Sequence, residues 1–342
     1  MTGNAWWPLA LAPMAGLVTV LAVPLLRPYL TASGMIDLPG SRRSHSAPTP
    51  RGGGLAMAAG CLPPLGLLAW FDAELWSLVI AALALTVLGW LDDRHELGVK
   101  RRLLVHCLVG VILVASIGGI ERLLIGQQLW SAFWPLSLLA VLLAVWLINL
   151  HNFMDGADGL ACSQGVWVAL AFGLLLLLHG RALAAAACFC LALSCTGFLV
   201  WNRPPARVFM GDSGSLLVGG MVAWMCLFSV AVDERNLWVG LIITAVFVVD
   251  ASLTLLRRIV RGERWYTPHR QHAYQVLISH GWKHGQVLML YVATNLLLVL
   301  PASVMAIRFR DLGFWLAGLV YVLLTLAWAW IQVAAKGEHA KP

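Results

Sequence analysis

Long apolar runs alternate along the chain with short polar segments. Each run has close to the ~20 residues that a helix needs to cross a bilayer. The runs are continuous rather than alternating, which favours helices over the strands of a membrane barrel. The pattern therefore predicts an all-α polytopic membrane protein with ten or eleven transmembrane helices. The eleven candidate spans are 7–27, 53–71, 76–91, 103–120, 129–149, 160–179, 182–201, 214–232, 238–257, 286–306 and 313–335.

Composition supports a lipid environment for most of the chain. Hydrophobic residues make up 60% of the 342 residues and charged residues 11%, whereas soluble domains carry about 25% charged residues. No polar stretch is long enough for a separate soluble domain, so we interpret residues 1–342 as one membrane domain. The first run is followed by charges and not by a small-residue cleavage site, which indicates a first span. The seven cysteines lie in apolar runs without a CxxC pair, which is typical of core packing.

Basic residues are distributed unequally between the two ends of the predicted spans. Seventeen of the 23 Lys and Arg residues lie in alternate connections and in the C-terminal tail. Because basic loops stay in the cytoplasm, we predict a periplasmic N-terminus and a cytoplasmic C-terminus. The same loops explain the net charge of +7 without a nucleic-acid partner. The loops on the basic side, about 28–52, 92–102, 150–159, 202–213 and 258–285, carry nearly all the unusual polar residues.

Two adjacent carboxylates, Asp92 and Asp93, end the third predicted span. Like charges this close raise one pKa and create a possible base, or the pair shares a divalent cation. The alternative is a solvated helix end paired with Arg94 and Lys100. Acidic residues oppose the dipole at a helix C-terminus, so we favour a functional role.

Further oxygen donors lie in the third and fourth basic-side loops. Asn152, Asp155 and Asp158 recur every three residues, and they share one face if the segment is helical; otherwise they surround a tight Asp-Gly turn. Polar groups between spans are expensive and usually functional. The segment Gly-Asp-Ser-Gly-Ser opens a span, so Asp212 or Ser213 is expected to be a helix N-cap. Alternatively, Asp212 supplies a hard oxygen ligand that suits Mg²⁺ bridging phosphates.

Basic and glycine-rich segments complete the set. Arg51 and two further arginines, Arg42 and Arg43, flank three glycines (52–54) at a helix start, where backbone N–H groups can cradle an anion; binding to anionic lipid is the alternative. His269 and His272 flank Arg270 in the fifth loop. Their neighbourhood lacks the further ligands that zinc requires, so phosphate or acid–base contact is favoured.

A lone carboxylate, Asp250, lies inside the ninth predicted span and is expected to pair with a neighbouring polar group. The other polar segments share one side of the membrane. Carboxylates, anion cradles and an Arg/His cluster on one face are typical of phosphoryl transfer, which needs metal-held charge, positioning and cationic clamps.

Five segments together resemble the polyprenyl-phosphate N-acetylhexosamine-1-phosphate transferases, the superfamily that includes the phospho-MurNAc-pentapeptide translocase. The resemblance covers nearly the whole chain, and the five motifs occur in the right order. They are Asp-x-Pro-x-x-Arg-x-x-His at 37–45 with the Pro-Arg-Gly-Gly turn, Asp92-Asp93-Arg94, Asn152-Phe-Met-Asp155-Gly-x-Asp158-Gly, Phe209-Met-Gly-Asp212-Ser-Gly, and His269-Arg-x-His272-x-Tyr-Gln.

The resemblance implies a bacterial inner-membrane enzyme with a cytoplasmic active site and Mg²⁺, with Mn²⁺ as an alternative ion. The phosphate of undecaprenyl phosphate attacks the β-phosphorus of a UDP-N-acetylhexosamine and releases UMP. Membrane lipid surrounds the protein, and the resemblance allows a homodimer without requiring one. By position in the motifs, the resemblance implies that Asp212 and Asn152 are metal or pyrophosphate ligands. It also implies that Asp92, Asp93 and Asp212 are catalytic carboxylates. Substrate contacts are implied for Asp155, Asp158, Lys100, His269, Arg270, His272, His45 and Arg51.

The last motif departs from the three-histidine run of the peptidoglycan-precursor branch. It is more similar to enzymes that start O-antigen, lipopolysaccharide or other surface polysaccharides, which implies a GlcNAc, GalNAc, FucNAc or QuiNAc donor. The peptidoglycan branch is one alternative. A transporter that couples through buried carboxylates is another, although its sites lie near the bilayer midplane. A non-catalytic membrane scaffold is the third.

Overall fold

The computed structural model describes residues 6–37, 48–126, 128–264, 267 and 269–338. Three residues of the first loop motif, Arg42, Arg43 and His45, lie outside this part of the chain. The described chain is all-α apart from two short strand pairs. Its helices are α1 Leu11–Ala32, α2 Gly54–Phe71, α3 Trp76–His95, α4 Val99–Ser116, α5 Phe133–Phe153, α6 Leu160–Leu178, α7 Ala182–Asn202, α8 Gly211–Val232, α9 Asn236–Val260, α10 Ala273–Ser279, α11 His284–Thr294, α12 Leu300–Arg308 and α13 Gly313–Glu338.

The predicted multi-span architecture is confirmed. Ten helical segments of the described chain are long and apolar enough to cross a membrane. One of them runs from His284 to Arg308 and contains α11, a π-helical turn at Asn295–Val299, and α12. Helix α4 is not among the ten, since its first turn carries three consecutive basic residues, 100–102.

Two predicted span starts differ from the structure, and one predicted loop contains a short helix. Helix α4 begins at Val99 and not at 103, so its basic residues belong to the helix. The fifth span begins at Phe133 and not at 129, because β3 (Arg122–Ile125) and β4 (Gln128–Ser131) form an antiparallel hairpin before it. The loop expected over 258–285 contains α10.

Helix α8 lies at the centre of the bundle. It packs against α2, α3, α5, α6 and α9, and most of it is buried, whereas α13 packs mainly on α9 and is largely exposed. Small residues allow this central position. A Cβ on Gly54 would lie 2.0 Å from the Gly214 nitrogen, and one on Gly89 would lie 2.3 Å from the Asp212 carbonyl oxygen. Helices α2 and α3 therefore touch the backbone at the start of α8, which brings the two polar helix ends together.

We expect Gly54→Ala to destabilise the protein by about 1–3 kcal/mol, the usual cost of overpacking, because the new methyl group must push α2 away from the α8 backbone. Gly66→Ala on the same helix is the matched control, since a Cβ there has no atom within 4 Å. The thermal unfolding midpoint in detergent checks the prediction. Equal midpoints for the two variants would contradict the close crossing of α2 and α8.

The glycine-rich turn before α2 does not form the expected anion cradle. The N–H groups of Gly53 and Gly54 donate to the carbonyls of Phe209 (2.9 Å) and Met210 (2.8 Å). Both acceptors lie in the connection between α7 and α8, so these two N–H groups are not available to an anion. The strands β1 (Ile36–Asp37) and β2 (Thr49–Pro50) pair beside this turn and bring the two ends of the first loop together. The turn therefore fixes the start of α8 through main-chain hydrogen bonds.

Candidate active site

Asp93 joins the end of α3 to the start of α8. Its Oδ1 accepts the backbone N–H of Asp212 at 3.0 Å, and its Oδ2 accepts that of Ser213 at 3.1 Å. The first N–H groups of a helix have no partner within the helix, so Asp93 supplies the cap from a neighbouring helix. The interpretation of Asp212 or Ser213 as the N-cap is therefore wrong, and the Asp212 side chain has other partners.

Arg102 bridges two carboxylates that are 120 positions apart in sequence. Its Nη1 lies 2.5 Å from Asp92 Oδ2 and 3.2 Å from Asp212 Oδ2. Asp92 also accepts the backbone N–H of Leu97 at 2.5 Å. One guanidinium thus neutralises two carboxylates of the cluster, and its shorter contact is to Asp92.

Asn152, near the C-terminal end of α5, completes the surroundings of Asp212. Its Nδ2 donates to Asp212 Oδ1 at 2.8 Å and to Ser215 Oγ at 3.1 Å. Since the amide nitrogen makes both bonds, the amide oxygen of Asn152 is not used in them. Two of the predicted metal ligands are therefore in direct contact.

The third-loop carboxylates, Asp155 and Asp158, line a cavity that Asp212 also lines. Asp158 Oδ2 accepts the backbone N–H of Ala206 at 3.0 Å, and His284 Nδ1 lies 3.1 Å from Asp158 Oδ1. Asp158 therefore ties three segments together. Burial, reinforced by the charges of Asp212, Asp93 and Asp158, raises the pKa of Asp155 well above its usual range.

The histidine loop is held in place by the carboxylate inside α9. Asp250 Oδ1 accepts the N–H of Ala273 at 2.7 Å, which is the first residue of α10, and Asp250 Oδ2 accepts the Tyr291 hydroxyl at 2.7 Å. His272 Nδ1 lies 3.8 Å from Asp250 Oδ1. The predicted polar pairing of Asp250 is confirmed. Burial and the nearby charges of His272 and Arg258 lower the pKa of His269 to about 4, so that His269 is neutral at pH 7.

We expect Asp250→Ala to loosen this loop, since it leaves the buried Tyr291 hydroxyl and the Ala273 N–H without an acceptor, at about 1–3 kcal/mol each. The measurement is limited trypsin digestion, which should cut faster after Arg264 and Arg270. Asp250→Asn is the matched control, because it keeps one acceptor oxygen and should give an intermediate rate. Unchanged digestion of Asp250→Ala would contradict the anchoring role.

A cavity of about 440 Å³ opens among these helix ends. Seven of the sequence-predicted residues line it, and four others do not. Asp92 is buried against Arg102, Lys100 is exposed on α4, and His269 and His272 lie in the adjoining loop. The predicted residues that line it are Arg51, Asp93, Asn152, Asp155, Asp158, Asp212 and Arg270.

Several residues at the site were not predicted from the sequence. Arg102 contacts Asp92 and Asp212, although neither it nor the predicted Lys100 lines the cavity. Asn202 and Gln275 line it, and His284 supports Asp158. The only signal for Arg102 was its place in the basic run at the start of α4, where Lys100 is two positions away. A helix turns by about 200° over two residues, so the two side chains leave α4 in different directions.

The fold and the site define a multi-pass membrane protein with a carboxylate and arginine cluster around a polar cavity, the arrangement expected of a phosphoryl-transfer site. Residues 75–230 match the family described as glycosyl transferase family 4. That range runs from α3 to α8 and contains Asp92, Asp93, Asn152 and Asp212.

Three relatives extend the similarity beyond the matched range. A phospho-N-acetylmuramoyl-pentapeptide-transferase of Synechococcus elongatus is 32% identical over 84% of this chain and 83% of its own length. A probable undecaprenyl-phosphate N-acetylglucosaminyl 1-phosphate transferase of Bacillus subtilis is 28% identical over 93% and 89%. An undecaprenyl-phosphate alpha-N-acetylglucosaminyl 1-phosphate transferase of Escherichia coli K12 is 27% identical over 82% and 79%. The chain belongs to glycosyl transferase family 4, which confirms the resemblance identified from the five motifs.

Proposed function

We propose that this protein transfers an N-acetylhexosamine 1-phosphate from a UDP-sugar to undecaprenyl phosphate and releases UMP. The observation that carries the proposal is the convergence of Asp212, Asn152 and Arg102 beside a polar cavity. The named activities of the relatives from Bacillus subtilis and Escherichia coli support the same reaction. An oxygen of the lipid phosphate bonds to the β-phosphorus of the donor, and the bond from that phosphorus to the UMP oxygen breaks.

A divalent cation, Mg²⁺ or alternatively Mn²⁺, fits the donor chemistry of this cluster. Mg²⁺ prefers a few protein oxygens and takes its remaining ligands from phosphates and water. Asp212 and Asn152 each carry such an oxygen, and the two side chains are in contact through Asn152 Nδ2. The described residues contain no group of three or more His, Cys, Asp or Glu suited to a metal ion, which agrees with a site completed by the substrate. When bound, the ion would neutralise charge on the pyrophosphate.

The protein groups around the cavity supply the other requirements of the reaction. Arg51 and Arg270 line the cavity and provide positive charge for phosphate oxygens. Within the predicted carboxylate pair, Asp93 lines the cavity while it caps the start of α8, whereas Asp92 holds Arg102. Asp155 and Asp158 line the cavity on the side of α6 and are proposed to contact the nucleoside.

The structure gives a structural role to the carboxylate on which the transporter alternative depends. Asp250 is the carboxylate that lies inside a predicted span, but its two oxygens bond to Ala273 and Tyr291. The carboxylates that face the cavity instead lie at helix ends. A site at helix ends suits a donor that arrives from water and an acceptor that arrives from the membrane. We propose that this face lies in the cytoplasm and the protein in the inner membrane, because this side carries 17 of the 23 Lys and Arg residues and basic loops favour the cytoplasmic side.

The test is UMP release by the purified protein with undecaprenyl phosphate, Mg²⁺ and a panel of UDP-GlcNAc, UDP-GalNAc, UDP-FucNAc, UDP-QuiNAc and UDP-MurNAc-pentapeptide. Release that requires both the lipid and the metal supports the transferase and identifies the sugar. We expect a donor without a peptide, as the last motif suggests, and a role at the start of a surface polysaccharide. Folded protein that releases no UMP from any donor would contradict the proposal.

A further inference from the structure

A second pocket lies between α1 and the end of α7. Its volume is about 560 Å³, and two arginines, Arg27 and Arg207, line it. Its other walls are largely apolar and include Pro24, Pro28 and Trp201. We call it the α1–α7 pocket. It has no lining residue in common with the cavity beside Asp212, so it is a separate site.

The two arginines of this pocket carry unpaired charge. Both are exposed, and neither forms an ion pair with a carboxylate in the described ranges. The Arg207 guanidinium lies over the Trp201 ring, 5.9 Å from its centroid. Two guanidinium groups facing one pocket suit an anion with several oxygens, and phosphate matches their planar donor geometry.

The pocket lies at the end of the bundle that carries the candidate active site. Helix α1 leads directly to Asp37, and α7 ends at Asn202, and both of these residues line the cavity beside Asp212. The adjoining flank of α1 is apolar and exposed, as Leu25 and Leu21 illustrate with exposed fractions of 79% and 55%. A ligand held by the arginines can therefore lay a hydrocarbon chain along α1.

We propose that the α1–α7 pocket binds the headgroup phosphate of an anionic phospholipid. Charge complementarity supplies the first argument, since lipid headgroups at the cytoplasmic surface are anionic and attract Lys and Arg beside a span. The apolar walls and the exposed flank of α1 supply the second. The carrier lipid presents the same phosphate chemistry, but its phosphate must reach the cavity beside Asp212, which has different lining residues.

Arg207 also belongs to the connection that positions the active site. Its backbone N–H donates to Trp201 O at 2.8 Å, and the preceding residue, Ala206, donates to Asp158 at 3.0 Å. Phe209, two residues later, donates to Pro50 O at 2.8 Å. A phosphate held on Arg207 would steady this connection and hence Asp158 and the start of α8. We therefore expect anionic phospholipid to stimulate the transferase, an effect that rests on the proposed function.

Binding is tested with the double variant Arg27→Gln/Arg207→Gln. The matched control is Arg203→Gln/Arg261→Gln, which removes the same charge at two exposed arginines outside the pocket. Each full-length protein is reconstituted in bilayers of equal parts phosphatidylglycerol and phosphatidylcholine, re-extracted in detergent, and its retained lipid is counted by native mass spectrometry. We expect wild type and control to retain one more phosphatidylglycerol per chain than the double variant.

Retention by the double variant equal to wild type would overturn the proposal, and so would an equal loss in the control. Displacement of the retained phosphatidylglycerol by undecaprenyl phosphate would instead identify the carrier lipid as the occupant. UMP release is then compared in bilayers with and without phosphatidylglycerol. We expect several-fold stimulation in wild type and control, and none in the double variant; equal stimulation in all three would overturn the coupling. The lipid count decides the binding proposal even if no donor supports UMP release.

Discussion

Asp212→Asn is expected to lower UMP release by about 1,000-fold or more, the scale of losing a principal electrostatic group in a transfer reaction. The substitution removes the negative charge that Asn152 and Arg102 converge on. An amide in the same place is a weaker ligand for a cation, and one of its two heavy atoms becomes a donor. The effect should appear mainly in kcat, because charge stabilisation is required most in the transition state.

Loss of folding is not expected to explain this result. Asp93 holds the start of α8 through the backbone N–H of residue 212, which the Asn variant retains. The thermal midpoint should therefore stay near that of wild type. Ser215→Ala is the matched control, since Ser215 also accepts from Asn152 but carries no charge; we expect a loss of less than about 10-fold, the cost of one neutral hydrogen bond. Activity of Asp212→Asn near the wild-type level would remove Asp212 from the chemistry.

The membrane fold could be predicted from the sequence because lipid imposes a simple rule. Every backbone group inside the bilayer needs an internal partner, so continuous apolar runs become helices. The errors occur where that rule stops applying. The hairpin at Arg122–Ser131 lies mostly between the fourth and fifth predicted spans and overlaps the start of the fifth at residues 129–131, because strand pairing at this point is not visible in the apolar pattern.

The sequence predicted which polar residues at helix ends belong to the candidate site, but not which of them contact each other. Asp93, Asn152 and Asp212 were identified because carboxylates and amides beside spans are costly. Their partners depend on how α3, α5 and α8 cross, and small residues such as Gly89 determine that crossing. The turn at Gly53 shows the same limit. Its N–H suggested an anion site, but only the packed structure provides the Phe209 carbonyl that accepts it.

The backbone contacts also explain why the cluster holds its shape. The start of α8 is held by Asp93 on one side and by the turn before α2 on the other. Asp212 is therefore positioned by main-chain bonds to two other helices rather than by its own side chain. Its carboxylate is then available for Asn152, Arg102 and a substrate-borne cation. Preorganisation of this kind lowers the cost of binding a charged transition state.

Arg102→Gln is expected to lower UMP release by about 100-fold, within the range for removal of a charged group that acts in the transition state. Arg102 contacts both Asp92 and Asp212. Without it, the repulsion between the two carboxylates is no longer offset, and the charge and position of Asp212 beside the cavity change. Arg102→Lys should recover part of the activity, because a lysine keeps the positive charge but not the planar set of guanidinium donors.

Lys100→Gln is the matched control, two positions earlier on the same helix and exposed. The family resemblance implies a phosphate contact for Lys100, whereas the structure brings Arg102 to the carboxylates. We expect Lys100→Gln to lower activity by less than about 10-fold, as for an exposed charge that acts at long range. Measuring kcat and KM for the UDP-sugar in both variants separates the two roles, since Arg102 should affect kcat and Lys100 mainly KM. A larger kcat loss in Lys100→Gln than in Arg102→Gln would indicate that Lys100 is the residue that contacts phosphate. Arg102 would then serve only to hold α3, α4 and α8 together.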